Sequence, residues 1–174
     1  MDLPKRKSIR LKNYDYSSNG AYFITVCTKD KKNLFGCIVA KAVGADSIRP
    51  NEIEYKTHLS EMGKTVKTAI ESISMHYSYV SIEKYVIMPN HIHLLILIKD
   101  VDSDGRIISA PTDSKKRLEI VIGQMKRWVS KQMGFSVWQK SFYDHIIRTE
   151  NDYLDAWSYI DSNPRLWLEG KDNH

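Results

Sequence analysis

The sequence has few of the features that mark a secreted or membrane-spanning protein. It contains two cysteines, Cys27 and Cys37, which form neither a CxxC pair nor another metal-ligand spacing. In such a chain, two cysteines are expected to be reduced core residues rather than a disulfide. No apolar run is long enough to cross a bilayer, and the basic start LPKRKSIRLK leads into polar residues rather than into the apolar segment of a signal peptide. We therefore expect a cytoplasmic protein without a membrane partner.

The composition is that of an ordinary globular protein. Of the 174 residues, 42% are hydrophobic and 27% are charged. A chain of this length is expected to fold as one domain with a sizeable core. We therefore predict a single domain over residues 1–174, with a basic N-terminal arm at about residues 1–13.

The positive charge is unevenly distributed along the chain. Twenty-six basic and 21 acidic residues give a net charge of +5, and the excess lies in the first twelve residues and in residues 115–131. Clustered cations favour a polyanionic partner, most simply nucleic acid. The alternative is a solvated helix face and a flexible tail. The candidate nucleic-acid-binding residues are Lys5, Arg6, Lys7, Arg10, Lys115, Lys116, Lys126, Arg127 and Lys131.

Apolar and β-branched segments predict five strands. The first, AYFITVCT, is apolar on both faces and indicates a central strand, and the second is expected to pair with it as a hairpin. Residues 40–57 show no clear period and are predicted to form a loop with a short extended piece. The tight connection Pro89–Asn90 joins the third strand to the fourth. The five predicted strands are residues 21–28, 34–39, 80–88, 91–98 and 137–147.

Three helices are predicted from apolar residues that recur every three to four positions. The first begins near residue 59, and the second covers about residues 115–133. The third begins near Thr149, which resembles a capping box with Asp152, and Pro164 is expected to end it. The order of these elements predicts a mostly antiparallel sheet backed by helices, which is an α+β fold.

Two histidines open the most apolar strand of the sequence. Because side chains alternate along a strand, His91 and His93 lie side by side on one face of it. A pair of imidazoles on a stiff strand is suited to a divalent metal, since the scaffold holds both ligands in place. The alternative is two polar residues at the end of a strand.

The last helix offers the further ligand that such a metal needs. Tyr159 and Asn163 are four residues apart, so they lie on the same helix face. A tyrosine beside a metal ligand is a candidate nucleophile, although a phenol with a pKa of ~10 must first be activated. Asp155, one turn earlier, is a reserve candidate for the third ligand. The alternative is that Tyr159 packs in the core and Asn163 caps the helix.

Four segments of the sequence together resemble one known family. MPNHIHLL at 88–95, VWQKSFYDHIIR at 137–148 and YIDSNP at 159–164 are similar to the three signature blocks of the REP-associated tyrosine transposases. The opening KSIRLKNYDYSSNGAYFITVCTKDKKNLFG is similar to the N-terminal regions of the same family. That family lies within the HUH-type single-tyrosine transposase superfamily. The four segments occur in the family's order and cover most of the chain.

The resemblance implies a ferredoxin-like sheet in which His91 and His93 form the metal-binding HUH motif. It also implies that Tyr159 is the catalytic tyrosine and that Asn163 supplies a third metal ligand. The implied cofactor is a divalent metal, Mg²⁺ or Mn²⁺, although imidazole ligands alone also suit zinc. The implied reaction nicks and rejoins single-stranded DNA beside a hairpin through a 5′-phosphotyrosine intermediate, without ATP.

Two other functions remain open at this point. One is a protein that binds DNA or RNA hairpins without cutting them, and the other is a phosphoesterase in which a metal-bound water attacks. Asp144 and His145, in the second block, are expected to support neighbouring groups rather than to ligate the metal. We expect a monomer rather than a dimer.

Overall fold

The computed structural model describes residues 20–42, 53–99 and 117–171. Six of the candidate nucleic-acid-binding residues, in the N-terminal arm and before the second helix, lie outside these ranges: Lys5, Arg6, Lys7, Arg10, Lys115 and Lys116. Among the described residues, no helix combines the length and apolar character needed to span a membrane.

Four strands form the central sheet. They are β1 (Gly20–Cys27), β4 (Val80–Ile87), β5 (His91–Ile98) and β6 (Tyr143–Ile147), in the order β4-β5-β1-β6, and every neighbouring pair is antiparallel. Two helices, α1 (Glu61–Glu71) and α3 (Arg117–Met133), connect β1 to β4 and β5 to β6. This order of elements is the ferredoxin-like α+β arrangement, so the predicted fold class is confirmed. The prediction of a central first strand is also confirmed.

Helices cover both faces of this sheet. The helices α1 and α3, with the single-turn helix α2 (Ile73–His76), pack on the face that carries every second side chain of β5. Those side chains, with the helix residues that meet them, form the apolar core; on β5 they are Ile92, Leu94, Ile96 and Ile98. The last helix, α4 (Glu150–Leu168), lies on the opposite face, against the two histidines.

A separate two-stranded ribbon corrects two predictions. The strands β2 (Gly36–Ala42) and β3 (Ile53–Leu59) pair antiparallel with each other and not with β1. The predicted hairpin of residues 34–39 with the first strand is therefore wrong, because β5 and β6 already occupy both edges of β1. Residues 40–57 were predicted to form a loop with a short extended piece. Where the chain is described the extended part is longer than predicted, because residues 40–42 belong to β2 and residues 53–57 belong to β3.

The last strand is shorter than predicted. Regular pairing begins at Tyr143, and within residues 137–142 one isolated bridge joins Trp138 to Thr28. Val137, Trp138 and Phe142 are nevertheless buried, because this connection packs against the core instead of forming a strand. The apolar residues of this segment correctly indicated that it is buried, but they did not indicate that it is not a strand.

The helix ends show one confirmed prediction and one that is wrong. The hydroxyl of Thr149 accepts a hydrogen bond from the N–H of Asp152 at 3.1 Å, so the predicted cap of α4 is confirmed. Pro164 does not end this helix, which continues for one further turn to Leu168. Pro164 is buried, so packing of this turn against the sheet compensates for the backbone hydrogen bond that proline cannot donate.

The two cysteines differ in environment. Cys27 is buried in β1, as expected, whereas Cys37 on the ribbon is exposed, so the expectation of a core position is wrong for Cys37. No disulfide joins them.

Candidate functional site

The histidine pair begins immediately after a turn that the surrounding backbone holds in place. The N–H of Thr28 donates to the carbonyl of Asn90 at 2.8 Å, and the N–H of Phe35 donates to the carbonyl of Pro89 at 3.0 Å. His91 and His93 then pair with Cys27 and Thr25 of β1. Because β5 lies between two other strands, its backbone cannot shift without breaking both pairings. The predicted side-by-side placement of the two imidazoles is therefore present.

Each imidazole is oriented by a hydrogen bond at its Nδ1 atom. The Nδ1 of His91 lies 2.7 Å from the side-chain oxygen of Asn90, and the Nδ1 of His93 lies 2.9 Å from the hydroxyl of Thr25. The amide nitrogen of Asn90 in turn donates to the carbonyl of Lys31 at 3.4 Å. An amide oxygen only accepts hydrogen bonds, so Nδ1 of His91 is the donor and the Nε2 of the neutral ring carries the lone pair.

The two Nε2 atoms face each other 3.1 Å apart, and both side chains are completely buried. Two nitrogen ligands of one six-coordinate ion, each about 2.1 Å from it and at right angles, lie about 3 Å apart. A cation held by both rings would satisfy both lone pairs and leave Thr25 to accept from Nδ1 of His93. The spacing of the pair therefore fits a shared divalent metal.

Asn163 is the described side chain that best completes this donor set. It is completely buried, and neither its amide oxygen nor its amide nitrogen has a hydrogen-bond partner among the described residues. A buried amide without partners is costly, by about 1–3 kcal/mol. The residues one turn before and after Asn163 on α4 both contact the histidines. Tyr159 packs against His93, and the ring centroid of Trp167 is 6.0 Å from that of His91. Asn163 thus lies on the helix face that is turned toward the pair.

Neutral amide and imidazole groups are the only ligand types in this set. In the described part of the chain, no group of three or more His, Cys, Asp or Glu side chains is placed to hold a metal. His58 and His76 are exposed. Asp155, the reserve candidate for the third ligand, is exposed beside Tyr159 and lies in a neighbouring pocket.

Tyr159 lies at the opening of the buried site. Its ring meets the ring of His93 edge-on with centroids 5.3 Å apart, and it meets Phe23 in the same way at 5.8 Å. Phe23 stacks on His93 at 5.0 Å, so the three rings fix one another. The structure therefore brings together the four residues that were predicted to form the site, with Tyr159 half-buried and the other three fully buried.

An open pocket of about 310 Å³ adjoins Tyr159. Phe23 and His145 form its floor on the sheet, and α4 forms its wall with Asp152, Asp155, Ala156 and Tyr159. The carboxylate of Asp152 accepts the N–H of Arg148 at 3.2 Å, and this bond is the main reason why the pKa of Asp152 is lowered. A segment of an extended chain can enter this pocket and reach Tyr159 from solvent.

The two residues of the Asp144–His145 pair point to opposite faces of the sheet. His145 pairs with Phe23 and lies in the pocket beside Tyr159, whereas Asp144 pairs with Ile24, whose side chain belongs to the core on the α3 side. The two positions therefore do not act as a unit, and the prediction that they support other groups stays a prediction.

The basic residues of α3 lie on the sheet face away from Tyr159. Lys126 directs its ammonium at the carbonyls of Gln139, Lys140 and Ser141, at 2.7, 3.3 and 3.2 Å, and burial lowers its pKa. This lysine therefore binds the connection before β6, a role that its charge alone did not indicate. Arg127 and Lys131 are exposed on the same helix.

Sequence reasoning missed three residues that shape the site. Thr25 and Asn90 orient the imidazoles, and Lys84 of β4 contacts α4 on both sides of Tyr159. A signal for Asn90 was present, since an amide immediately precedes the first histidine in a tight turn. Nothing in the sequence pattern indicated that Thr25 would lie opposite His93, because that neighbour depends on strand register.

Comparison with known proteins gives two related sequences and one shared fold. The chain is 38% identical over 175 residues to an uncharacterized protein of Haemophilus influenzae, covering 93% of this chain and 89% of that protein. It is 24% identical over 158 residues to another protein of Haemophilus influenzae, provisionally named a REP-associated tyrosine transposase, covering 88% of this chain and 76% of the relative. No family model matches the chain.

A solved structure of a REP-associated tyrosine transposase bound to a REP hairpin has the same fold. The TM-score is 0.58 at 18% sequence identity, and the alignment covers 94% of this chain and 75% of that one.

Proposed function

We propose that this chain, a relative of the REP-associated tyrosine transposases, is a metal-dependent transesterase that nicks and rejoins single-stranded DNA beside a hairpin. The observation that carries this proposal is the meeting of Tyr159 with the buried set of His91, His93 and Asn163. A neighbour of the same fold is bound to a REP hairpin, which supports hairpin DNA as the substrate class.

Tyr159 is the proposed nucleophile. Its phenolic oxygen attacks the scissile phosphorus, a new O–P bond forms, and the bond from phosphorus to the 3′-oxygen breaks. The phenol loses its proton, and the departing 3′-oxygen gains one to become a free hydroxyl. The product is a 5′-phosphotyrosine whose ester bond replaces the bond that was broken, so the reverse attack by a 3′-hydroxyl rejoins DNA without ATP.

The residues that would hold the metal are His91 and His93 through Nε2 and Asn163 through its amide oxygen. When bound, a divalent ion supplies Lewis-acid stabilisation at the phosphoryl oxygen and a fixed position for it. The resemblance favours Mg²⁺ or Mn²⁺, whereas two imidazoles and an amide on their own also suit zinc. Asn90 and Thr25 hold the Nδ1 side of each ring, so that the two Nε2 atoms face each other where the metal would bind.

Tyr159 is the member of the site that lies next to solvent. Phe23 covers one side of His93, and Tyr159 lies between that ring pair and the open pocket. In this placement the phenol is half-exposed, so it is the group that incoming DNA reaches first.

The experiment that tests this function uses end-labelled single-stranded hairpin oligonucleotides with wild type and the Tyr159→Phe variant. Each is incubated with Mg²⁺ or Mn²⁺ and run on a denaturing protein gel. We expect a slow covalent band with wild type and metal and none with Tyr159→Phe, which should retain hairpin binding in a native gel. Tyr153→Phe is the matched control, because this tyrosine lies on α4 but contacts Trp157 instead of His93.

Two results would overturn the proposal. Hairpin binding without any covalent band would indicate a binding protein that does not cut. Cleavage that leaves a free 5′-phosphate and no protein adduct would indicate that a water molecule attacks instead of Tyr159.

A further inference from the structure

A β-bulge in β4 changes which side chains of this strand face α4. Ile82 pairs with Ile96 of β5, whereas Lys84 pairs with the next residue back, Leu95, so Glu83 is the extra residue. In a regular strand Lys84 would share a face with Ile82 and point toward α1 and α3. The bulge instead turns Lys84 to the face of β5 that carries Leu95 and His93, under α4. Bulges are enriched next to active sites because they redirect a side chain in this way.

The redirected Lys84 contacts α4 at two points. Its ammonium is 2.5 Å from the Oδ2 of Asp161 and lies 4.1 Å from the centre of the Trp157 ring. The lysine side chain is 17% exposed, so both contacts form where water screens them only partly. The pair Lys64–Glu61, by contrast, joins two residues of one helix with side chains that are 62% and 89% exposed.

The two contact points lie on either side of Tyr159 in the sequence. Trp157 is two residues before the tyrosine and Asp161 is two residues after it, so one ammonium contacts α4 about half a turn above and below the candidate nucleophile. Two such contacts restrict both the rotation of the helix about its axis and its sliding along the strand. The placement of Tyr159 and Asn163 depends on how α4 is rotated about its axis. Both residues lie on the single helix face that is turned toward the histidines.

We propose that Lys84 is a positioning residue, which holds α4 so that Tyr159 and Asn163 face the histidine pair. This inference rests on the proposed function. Lys84 acts through Trp157 and Asp161, the two residues of α4 that its ammonium contacts. Displacing a reacting group by about 1 Å costs roughly a hundredfold in rate, so a small rotation of α4 is enough to slow attack.

The test compares four variants. Lys84→Met keeps the length of the side chain and removes its charge, and Lys84→Arg keeps the charge and can stack on Trp157. Asp161→Asn removes the ion pair only, at a carboxylate that is 63% exposed, so this variant is expected to fold. Lys64→Met is the matched control, because it removes an exposed helical ion pair on α1, across the sheet from Tyr159.

Three quantities are measured for each variant. The first two are the single-turnover rate of adduct formation at saturating hairpin DNA and the hairpin affinity. The third is the set of proton chemical shifts of the Tyr159 ring in the free protein, assigned with Tyr159→Phe, because the rings of His93 and Phe23 lie edge-on to it.

We expect Lys84→Met to slow adduct formation by about ten- to a hundredfold with unchanged hairpin affinity, and to move the Tyr159 ring signals. Asp161→Asn should slow the rate by less, and Lys84→Arg should restore most of it. A Lys84→Met rate within twofold of the Lys64→Met rate, with unmoved Tyr159 signals, would overturn the inference. If wild type forms no adduct, the proposed function fails and the Tyr159 signals alone decide: movement in Lys84→Met supports positioning, and no movement overturns it.

Discussion

The two faces of the central sheet use the same strands but different kinds of side chain. Toward α1 and α3, β5 presents Ile92, Leu94, Ile96 and Ile98, which pack into one apolar cluster. Toward α4, the same strand presents His91 and His93, and the helix that covers them contributes the buried Asn163. All these residues are almost fully buried, so burial alone does not tell the two faces apart.

The two faces differ in whether their buried side chains need hydrogen-bond partners. The α1 and α3 face has only apolar side chains from β5, and removing them from water stabilises the fold directly. The α4 face buries polar groups, and Asn163 has no hydrogen-bond partner among the described residues. Polar burial of this kind lowers stability unless a ligand completes it. The α1 and α3 face therefore stabilises the fold, whereas the α4 face holds the candidate site at some cost in stability.

The largest effect on stability is expected on the α1 and α3 face. Ile96→Ala should lower the free energy of unfolding by about 2–5 kcal/mol, because Ile96 is completely buried in the apolar cluster and alanine leaves a cavity. Urea denaturation measures this loss. Adduct formation by the fraction that remains folded should stay close to wild type. A fully stable Ile96→Ala variant that forms no adduct would contradict the division between the two faces.

On the α4 face, the opposite change in stability is expected. Asn163→Leu should raise the free energy of unfolding in metal-free buffer by about 1–3 kcal/mol, because it removes a buried amide without partners at similar volume. The same variant should form no adduct, and added Mn²⁺ should raise the melting temperature of wild type but not that of the variant. Loss of stability together with full adduct formation would show that Asn163 is an ordinary structural residue.

The Lys126→Met variant tests whether the ammonium of Lys126 stabilises the fold or binds DNA. Lys126→Met should lower the free energy of unfolding by about 1–2 kcal/mol, because three carbonyl oxygens lose a charged donor. Arg127→Met, at the exposed neighbouring position, should change stability by about 0.5 kcal/mol or less. The hairpin affinity of folded Lys126→Met should equal that of wild type. Full stability with weakened hairpin binding would instead assign this lysine to DNA contact.

The smallest effect is expected at the start of α4, where Asp152 is half-buried at the capping box. Accepting the N–H of Arg148 lowers its pKa below the ordinary carboxyl value, so the folded state favours the charged form. The stabilisation is therefore complete above the ordinary carboxyl pKa and is lost as the pH falls through the lowered folded value.

Acid titration followed by circular dichroism checks this prediction. Asp152→Asn should lose less stability on acidification than wild type does. An identical acid response in wild type and Asp152→Asn would show that this carboxylate does not support the cap.

Much of the site could be predicted because its signals are local. Alternation along β5 places His91 and His93 together, spacing by four places Tyr159 with Asn163, and Thr149 with Asp152 marks where α4 begins. Each of these depends on residues within one turn or one strand. Local backbone geometry is sufficient to determine them.

What could not be predicted depends on contacts distant in sequence. The first part of β2 was predicted as a strand, but the local pattern could not show that it pairs with β3 instead of β1. In β3 half-buried and exposed residues alternate, yet none of them is fully buried. Pro164 was expected to end α4, but packing against the sheet keeps the helix intact to Leu168. The bulge at Glu83 moves the core-facing residues of β4 from even positions, Val80 and Ile82, to odd positions, Tyr85 and Ile87. The sequence hides this change, because Val86 is also apolar but lies on the other face.

Peptide mapping can identify the tyrosine on the α4 face that becomes linked to DNA. After incubation with hairpin DNA and Mn²⁺, the protein is digested with nuclease and trypsin, and the modified peptide is sequenced by mass spectrometry. Residues 149–165 form one tryptic peptide that contains both Tyr153 and Tyr159, so fragmentation distinguishes the two positions. We expect a nucleotide phosphate on Tyr159. Modification at Tyr153, or cleaved DNA without any modified tyrosine, would contradict the assignment of Tyr159 as the nucleophile.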